Sequence, residues 1–212
     1  MKCLYELDIK AMEKLWSDLK LYRWYVRNDT ISARTQSASC LNRFNRLKER
    51  AVQLEFIFND TEVISWLDTL TTLCCVFQVM EDEYLKNNIL VLQEYCIPFS
   101  NKRADYLLVY DNKILIIEFS FNKLGYAFNY ETKLQQAIGY KELLSNILQK
   151  EIDIGTYTFL LEPEEDKNGN TIDIDGTDKL ANDLKIKALA NYIEEFFKKN
   201  ENLALTSLKR FK

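Results

Sequence analysis

The chain contains no histidine in 212 residues. That absence removes histidine-based catalytic triads and histidine-ligated zinc sites. Any general base must then be a carboxylate, a lysine or a water activated by a metal ion. No uninterrupted stretch of about 18 apolar residues occurs, so no membrane span is expected. The N-terminus, MKCLYELDIK, carries acidic residues and no apolar h-region, and does not read as a signal peptide. Five cysteines, Cys3, Cys40, Cys74, Cys75 and Cys96, show no paired spacing. An odd count without a secretion signal points to free thiols in a reducing cytoplasm. Cys74 and Cys75 lie in a strongly apolar segment and read as core. Neither an internal repeat nor a linker interrupts the chain.

What is present is enough apolar residue, 47% of the chain, for one sizeable core. The formal net charge of -4 does not by itself announce a nucleic-acid partner. Charge is unevenly spread, however. From Lys20 to Arg50 eight basic residues stand against Asp29 and Glu49. Arg43, Arg46 and Arg50 recur at i, i+3 and i+7, a stripe along one helix that fits phosphate contacts. A solvated helix face is the plainer alternative. The aromatics Tyr22, Trp24, Tyr25 and Phe44 are placed either for stacking on bases or for the core.

Periodicity predicts helices over 6–27, 41–57, 61–83, 131–149 and 182–199, with an irregular polar segment at 28–40. Asp60 or Thr61 is expected to cap the third of these segments. Strands are predicted at 89–97, 105–110, 113–119 and 156–162. The unbroken run Ile114–Ile117 suits a central strand covered on both faces. The segment 163–182 reads as a long acidic loop or hairpin. Its DIDGTD stretch at 173–178 lacks the spacing and closing glutamate of a calcium loop. The layout fits an α/β fold with a mixed central sheet flanked by helices and an N-terminal helical extension. Residues 1–60 are expected to form a helical region packed on a core domain of 61–212.

The chemistry concentrates between Ile97 and Tyr140. Asp105 opens the apolar run LLVY, and Glu118 closes ILIIE. Asp111-Asn112 between the runs is a two-residue hairpin turn. Pairing the strands across it brings Asp105 and Glu118 to the same end of the sheet. Two carboxylates there can share a divalent cation, as in a metal-dependent phosphodiester hydrolase.

Five short elements run in order along this region: Ser65-Trp66; Glu94-Tyr95 with Pro98; Arg103 and Asp105; Glu118-Phe119-Ser120; Gln136 and Tyr140. Together they resemble the PD-(D/E)XK nuclease superfamily, over roughly residues 61–162. The resemblance implies a restriction-endonuclease-like core, Mg²⁺ (or Mn²⁺) as cofactor, and DNA as substrate. It also implies a fold that often serves as one module of a larger assembly or a homo-oligomer. Asp105, Glu118, the Phe119 carbonyl and Glu94 would hold the metal. Gln136 would hydrogen-bond near the phosphate or the attacking water. Arg103 and Tyr140 would meet the substrate, although an Arg103 salt bridge to Asp105 or Glu118 and core packing of Tyr140 are the alternatives. Glu62 is a further acidic candidate.

The departure from the pattern is Ser120, where the family has lysine. Serine supplies no cation. Either the lysine has migrated or the chain is a catalytically silent relative that binds nucleic acid or a protein. Lys133, Gln136 and Tyr140, at i, i+3 and i+7, share one helix face, so Lys133 is the candidate substitute. Lys123 is the second.

Overall fold

Short runs of apolar residues from position 89 onward build most of a five-stranded sheet. The computed structural model describes residues 2–19, 31–121, 128–148, 151–161 and 180–198. Within them the order is β1 (Tyr5–Leu7), α1 (Ile9–Leu19), α2 (Ile31–Arg34), α3 (Ala38–Gln53), α4 (Asp60–Val79) and α5 (Glu83–Asn88). Then follow β2 (Leu90–Cys96), β3 (Arg103–Tyr110), β4 (Lys113–Phe121), α6 (Phe128–Ile147), β5 (Asp153–Leu161) and α7 (Leu180–Lys198). The strands lie side by side in the order β1-β2-β3-β4-β5. The first four pair antiparallel, and β5 lies parallel to β4 with α6 as the crossover. This is an α/β fold with a mixed central sheet, flanking helices and an N-terminal helical region.

Local chemistry accounts for several boundaries. The β3–β4 hairpin closes at Tyr110↔Lys113 around Asp111-Asn112, and Asp111 takes a φ of 52°. Aspartate tolerates that left-handed conformation better than bulkier residues do. The cap of α4 is Asn59, one residue ahead of the expected position; its side chain accepts from the Glu62 N–H at 2.9 Å. By length and composition α4 qualifies as a membrane span, but 72% of its apolar window is buried within the fold. That is how a core helix is used.

Other elements depart from the sequence expectation for tertiary reasons. The predicted helix over 6–27 is divided into β1 and α1, while 20–27 falls outside the described residues. β1 has only three residues and no local signal; it exists because β2 offers an open edge, pairing Tyr5↔Gln93. The segment 28–40 contains α2 and the start of α3. Ser37 caps α3, and Arg34 is drawn into a buried ion pair with Asp68 of α4. α5 was not foreseen either. Asp82 caps it, and Glu194 of α7 accepts from the Glu81 and Asp82 N–H groups. Tyr22, Trp24, Tyr25, Lys123 and the 163–179 segment lie outside the described residues.

The sheet separates two apolar layers. Leu108, Leu115, Ile117 and Phe119 pack with α4 and α7 on one face. Leu107, Ile114 and Ile116 pack with Tyr140 and Leu144 of α6 on the other. Leu4, Met12, Leu15 and Leu47 share the first layer, so β1, α1 and α3 contribute to the same core. At the hairpin end, buried Lys113 donates to the carbonyls of Phe196 at 2.7 Å and Phe197 at 3.4 Å. It thereby caps the C-terminus of α7, where a cation also meets the favourable end of the helix dipole.

Gly155 of β5 faces Phe196 so closely that an added Cβ would lie 2.6 Å from its ring. The ring is hemmed in by Tyr192 and Phe197. Gly155→Ala is expected to destabilise the fold by about 1 to 3 kcal/mol through overpacking. Urea unfolding that places the variant within about 0.3 kcal/mol of the parent would show that the ring moves freely.

Candidate functional site

At the end of the sheet away from the hairpin, β3 and β4 part. Their ladder ends at Tyr106↔Ile117. One step further, side chains replace the ladder. The Asp105 N–H donates to Glu118 Oε1 at 2.9 Å, and the Phe119 N–H donates to Asp105 Oδ2 at 2.7 Å. Each carboxylate thus satisfies a strand amide that the parting would orphan. Glu118 is fully buried and Asp105 half-buried. The Phe119 ring packs in the core against Tyr106 and Phe159, so only its backbone is available to the site. Its carbonyl lies on the same strand edge as its N–H, the edge facing Asp105.

Lys133 reaches this pair from the first turns of α6. Its Nζ donates to Glu118 Oε2 at 2.7 Å and to Asp105 Oδ2 and Oδ1 at 3.2 and 3.3 Å. The crossover geometry explains the reach. Glu118 falls on the sheet face that α6 covers, and Lys133 sits one helical turn ahead of Ala137 and two ahead of Tyr140, which are buried against that face. Gln136 donates to the Tyr140 hydroxyl. Ser120 also faces α6, with a buried Oγ that has no hydrogen-bond partner among the described residues.

Glu94 enters from β2. It holds a φ of 50°, and the β2–β3 ladder carries no pair between Gln93↔Tyr106 and Tyr95↔Ala104. Before it, Val91 and Gln93 face α4; after it, Tyr95 packs on the α6 side. The left-handed residue is therefore where the strand changes phase, a strained conformation of the kind that clusters at functional sites. Nothing in the sequence signals it.

Arg103 forms the cavity's second cationic wall. It ion-pairs with Glu62 at 2.6 Å and Glu94 at 3.4 Å, not with Asp105 or Glu118. Its guanidinium lies over the rings of Phe56 and Trp66, at 4.6 and 5.8 Å from their centroids. The pairing partner Glu62 stood as a candidate in the sequence; Phe56 did not. Below them a buried network joins Thr69, Tyr106 and Gln93 and ties α4 to the sheet.

These groups surround a cavity of about 440 Å³ lined by Glu62, Trp66, Glu94, Arg103, Lys133 and Tyr140, with Asp105 and Gln136 also on its wall. Glu62, Glu94 and Asp105 on this wall, with Glu118 buried behind Lys133, meet Arg103, Lys133 and the exposed Lys102. The imbalance is felt. Burial, and then Asp105, push the Glu118 carboxyl up to about 8. The same two causes push Glu94 up. Burial opposes the charge on Lys133, yet Asp105 and Glu118 more than offset it and hold its pKa above the usual value. Burial raises the Tyr140 phenol to about 12.

The basic stripe divides instead of converging. Arg43 is buried and ion-paired with Asp18 of α1 at 2.6 Å, so it faces the interior. Arg50 donates to the Leu4 carbonyl. Arg46 is exposed. None of the three lines the carboxylate cavity, and Phe44 is buried in the core.

Compared with protein-family models, curated proteins and solved structures, the chain has no significant match.

Whether the residues suit a cation follows from their donor set. Among the described residues no three histidine, cysteine or acidic side chains form a ready-made cage. Magnesium does not need one, because it retains waters and takes one or two carboxylates plus substrate oxygens. Asp105, Glu118 and the Phe119 carbonyl are hard oxygen donors, and the acids Glu62, Glu94, Asp105 and Glu118 outnumber the cations Lys102, Arg103 and Lys133 around them. The residues fit a hard divalent ion.

Proposed function

We propose that this chain is a divalent-metal-dependent nuclease acting on DNA, built on a restriction-endonuclease-like core. The observation that carries the reading is the contact of the Lys133 ammonium with both Asp105 and Glu118. A nuclease of this chemistry needs two carboxylates and a cation in one place. The motif position for the cation holds Ser120, and the crossover helix supplies Lys133 instead.

Asp105, Glu118 and the Phe119 carbonyl would hold Mg²⁺ or Mn²⁺, with Glu94 alongside. When bound, such an ion acts as a Lewis acid toward a phosphodiester and lowers the pKa of water. The chain's own residues supply the rest. Lys133 keeps its charge, because the carboxylates hold its pKa up, and donates where negative charge develops on phosphate. Arg103, fixed by two aromatic rings, is poised to exchange a carboxylate partner for a phosphate oxygen. Gln136 and Tyr140 orient one another along the α6 wall.

Incubation of the full chain with plasmid and labelled oligonucleotides tests the reading. Cleavage is expected with Mg²⁺ or Mn²⁺ and not with EDTA. Saturation with Mn²⁺ at about 100 times its Kd is expected to stabilise the fold by about 2.7 kcal/mol, a rise in Tm of roughly 5 to 10 °C. Asp105→Ala should lose that rise. A parent that neither shifts with metal nor cuts any substrate would overturn the enzyme in favour of a silent binder of nucleic acid or protein.

A further inference from the structure

The turn between β2 and β3 presents an aromatic ring in a conformation that stability alone does not explain. The Ile97 carbonyl accepts from both the N–H and the hydroxyl of Ser100, at 3.2 and 3.0 Å. Ile97 in turn donates its N–H to the Lys102 carbonyl at 2.9 Å. Pro98 and Phe99 are therefore the central residues of a tight turn. Proline suits the first central position, whereas a positive φ at the second normally belongs to glycine or asparagine. Phe99 occupies it with a φ of 58°. Its side chain is 99% exposed, so no packing offsets the strain.

The turn stands at the cavity. Asn101 and Lys102, both exposed, and Arg103 follow Phe99 in the chain and line the space around Asp105 and Lys133. At about 3.3 Å per strand residue, Lys102 is about 10 Å from Asp105. A strand whose phosphate rests at the carboxylates can place a neighbouring base over the Phe99 ring while Lys102 meets its backbone.

Resting on the nuclease reading above, we propose that Phe99 is a stacking platform for an unpaired base, its ring held out by a strained turn beside the carboxylate cavity, so that the substrate is single-stranded or frayed DNA. Every base has a face to stack, so the contact is indifferent to sequence. In an intact duplex that face is already covered, and uncovering it costs a few kcal/mol. Such a platform selects for strands whose bases are free.

Fluorescence anisotropy in EDTA, with a labelled strand of about 15 nucleotides and its blunt duplex, tests this on the full chain. The parent is expected to prefer the single strand. Phe99→Ala should weaken single-strand binding about five- to hundredfold and leave duplex binding unchanged, while Phe99→Trp keeps it. Phe99→Gly, which relieves the turn, should weaken binding similarly yet raise Tm by about 2 to 4 °C, which separates lost stacking from lost folding. A parent that prefers duplex, or a Phe99→Ala variant that binds the strand as the parent does, overturns the platform. If that parent still cuts with Mn²⁺, only the platform falls. A parent that neither binds either form nor cuts ends the nuclease reading too, and leaves the exposed ring to a protein partner.

Discussion

Lys133→Ala is expected to slow metal-dependent cleavage by about 10²- to 10³-fold while metal and DNA still bind. Loss of one preorganised donor to developing charge removes about 3 to 4 kcal/mol of transition-state stabilisation. Lys133 is placed for that role by its contacts of 2.7 Å to Glu118 and 3.2 Å to Asp105. The expected signature is a fall in kcat with little change in KM. A second substitution discriminates a migrated lysine from a merely structural one. Ser120 faces α6 from the same strand face as Glu118, so Ser120→Lys added to Lys133→Ala returns a cation to the same carboxylates from the other side. Partial recovery of cleavage is expected in the double variant. A Lys133→Ala rate within about twofold of the parent would end the idea.

Glu118→Gln is expected to reduce cleavage by about 10³-fold and yet stabilise the metal-free fold above neutral pH. The loss of activity follows from removing a charged oxygen donor from a hard cation. The gain in stability follows from burial. An unfolded glutamate releases its proton near about 4.3. In the native fold Glu118 keeps its proton up to about 8, because burial and Asp105 disfavour the charge. Between those values the native state binds the extra proton, so stability falls as pH rises. The contribution is complete below the unfolded value and gone above about 8. Its size is on the order of a few kcal/mol. Glu94 is shifted in the same direction, so Glu118→Gln should flatten the decline without abolishing it. Urea unfolding from pH 5 to 9 in EDTA measures this; parallel slopes for parent and variant would show that Glu118 ionises freely in the fold.

Much of the site was legible because hairpin geometry is local. Asp111-Asn112 between two apolar runs fixes the register, and the register alone sets Asp105 opposite Glu118. The spacing of Lys133, Gln136 and Tyr140 is likewise a property of one helix. That Lys133 would reach both carboxylates was legible only as one of several alternatives, since Lys123 competed for it and a solvent-facing lysine fitted the same spacing. Arg43, Arg46 and Arg50 show the converse. Helical spacing put them on one stripe, but Asp18 draws Arg43 inward, and no periodicity reveals a partner 25 residues away.

The sequence by itself determined the α/β class, the succession of β2 to β5 along the chain, the hairpin and the pairing of its two acids. These depend on short apolar runs, turn chemistry and helical period, all of which act over a few residues. Only the tertiary structure decided the edge strand β1, the phase change at Glu94, the stacking of Arg103 on Phe56 and Trp66, and the exposed strain at Phe99. Each of these depends on which surfaces meet across the core. A three-residue strand needs an open edge, a left-handed glutamate or phenylalanine needs surroundings that hold it there, and an arginine chooses among several acids by where α4 sets them. The interactions that separate these outcomes link residues far apart in the chain, so no local reading contains them.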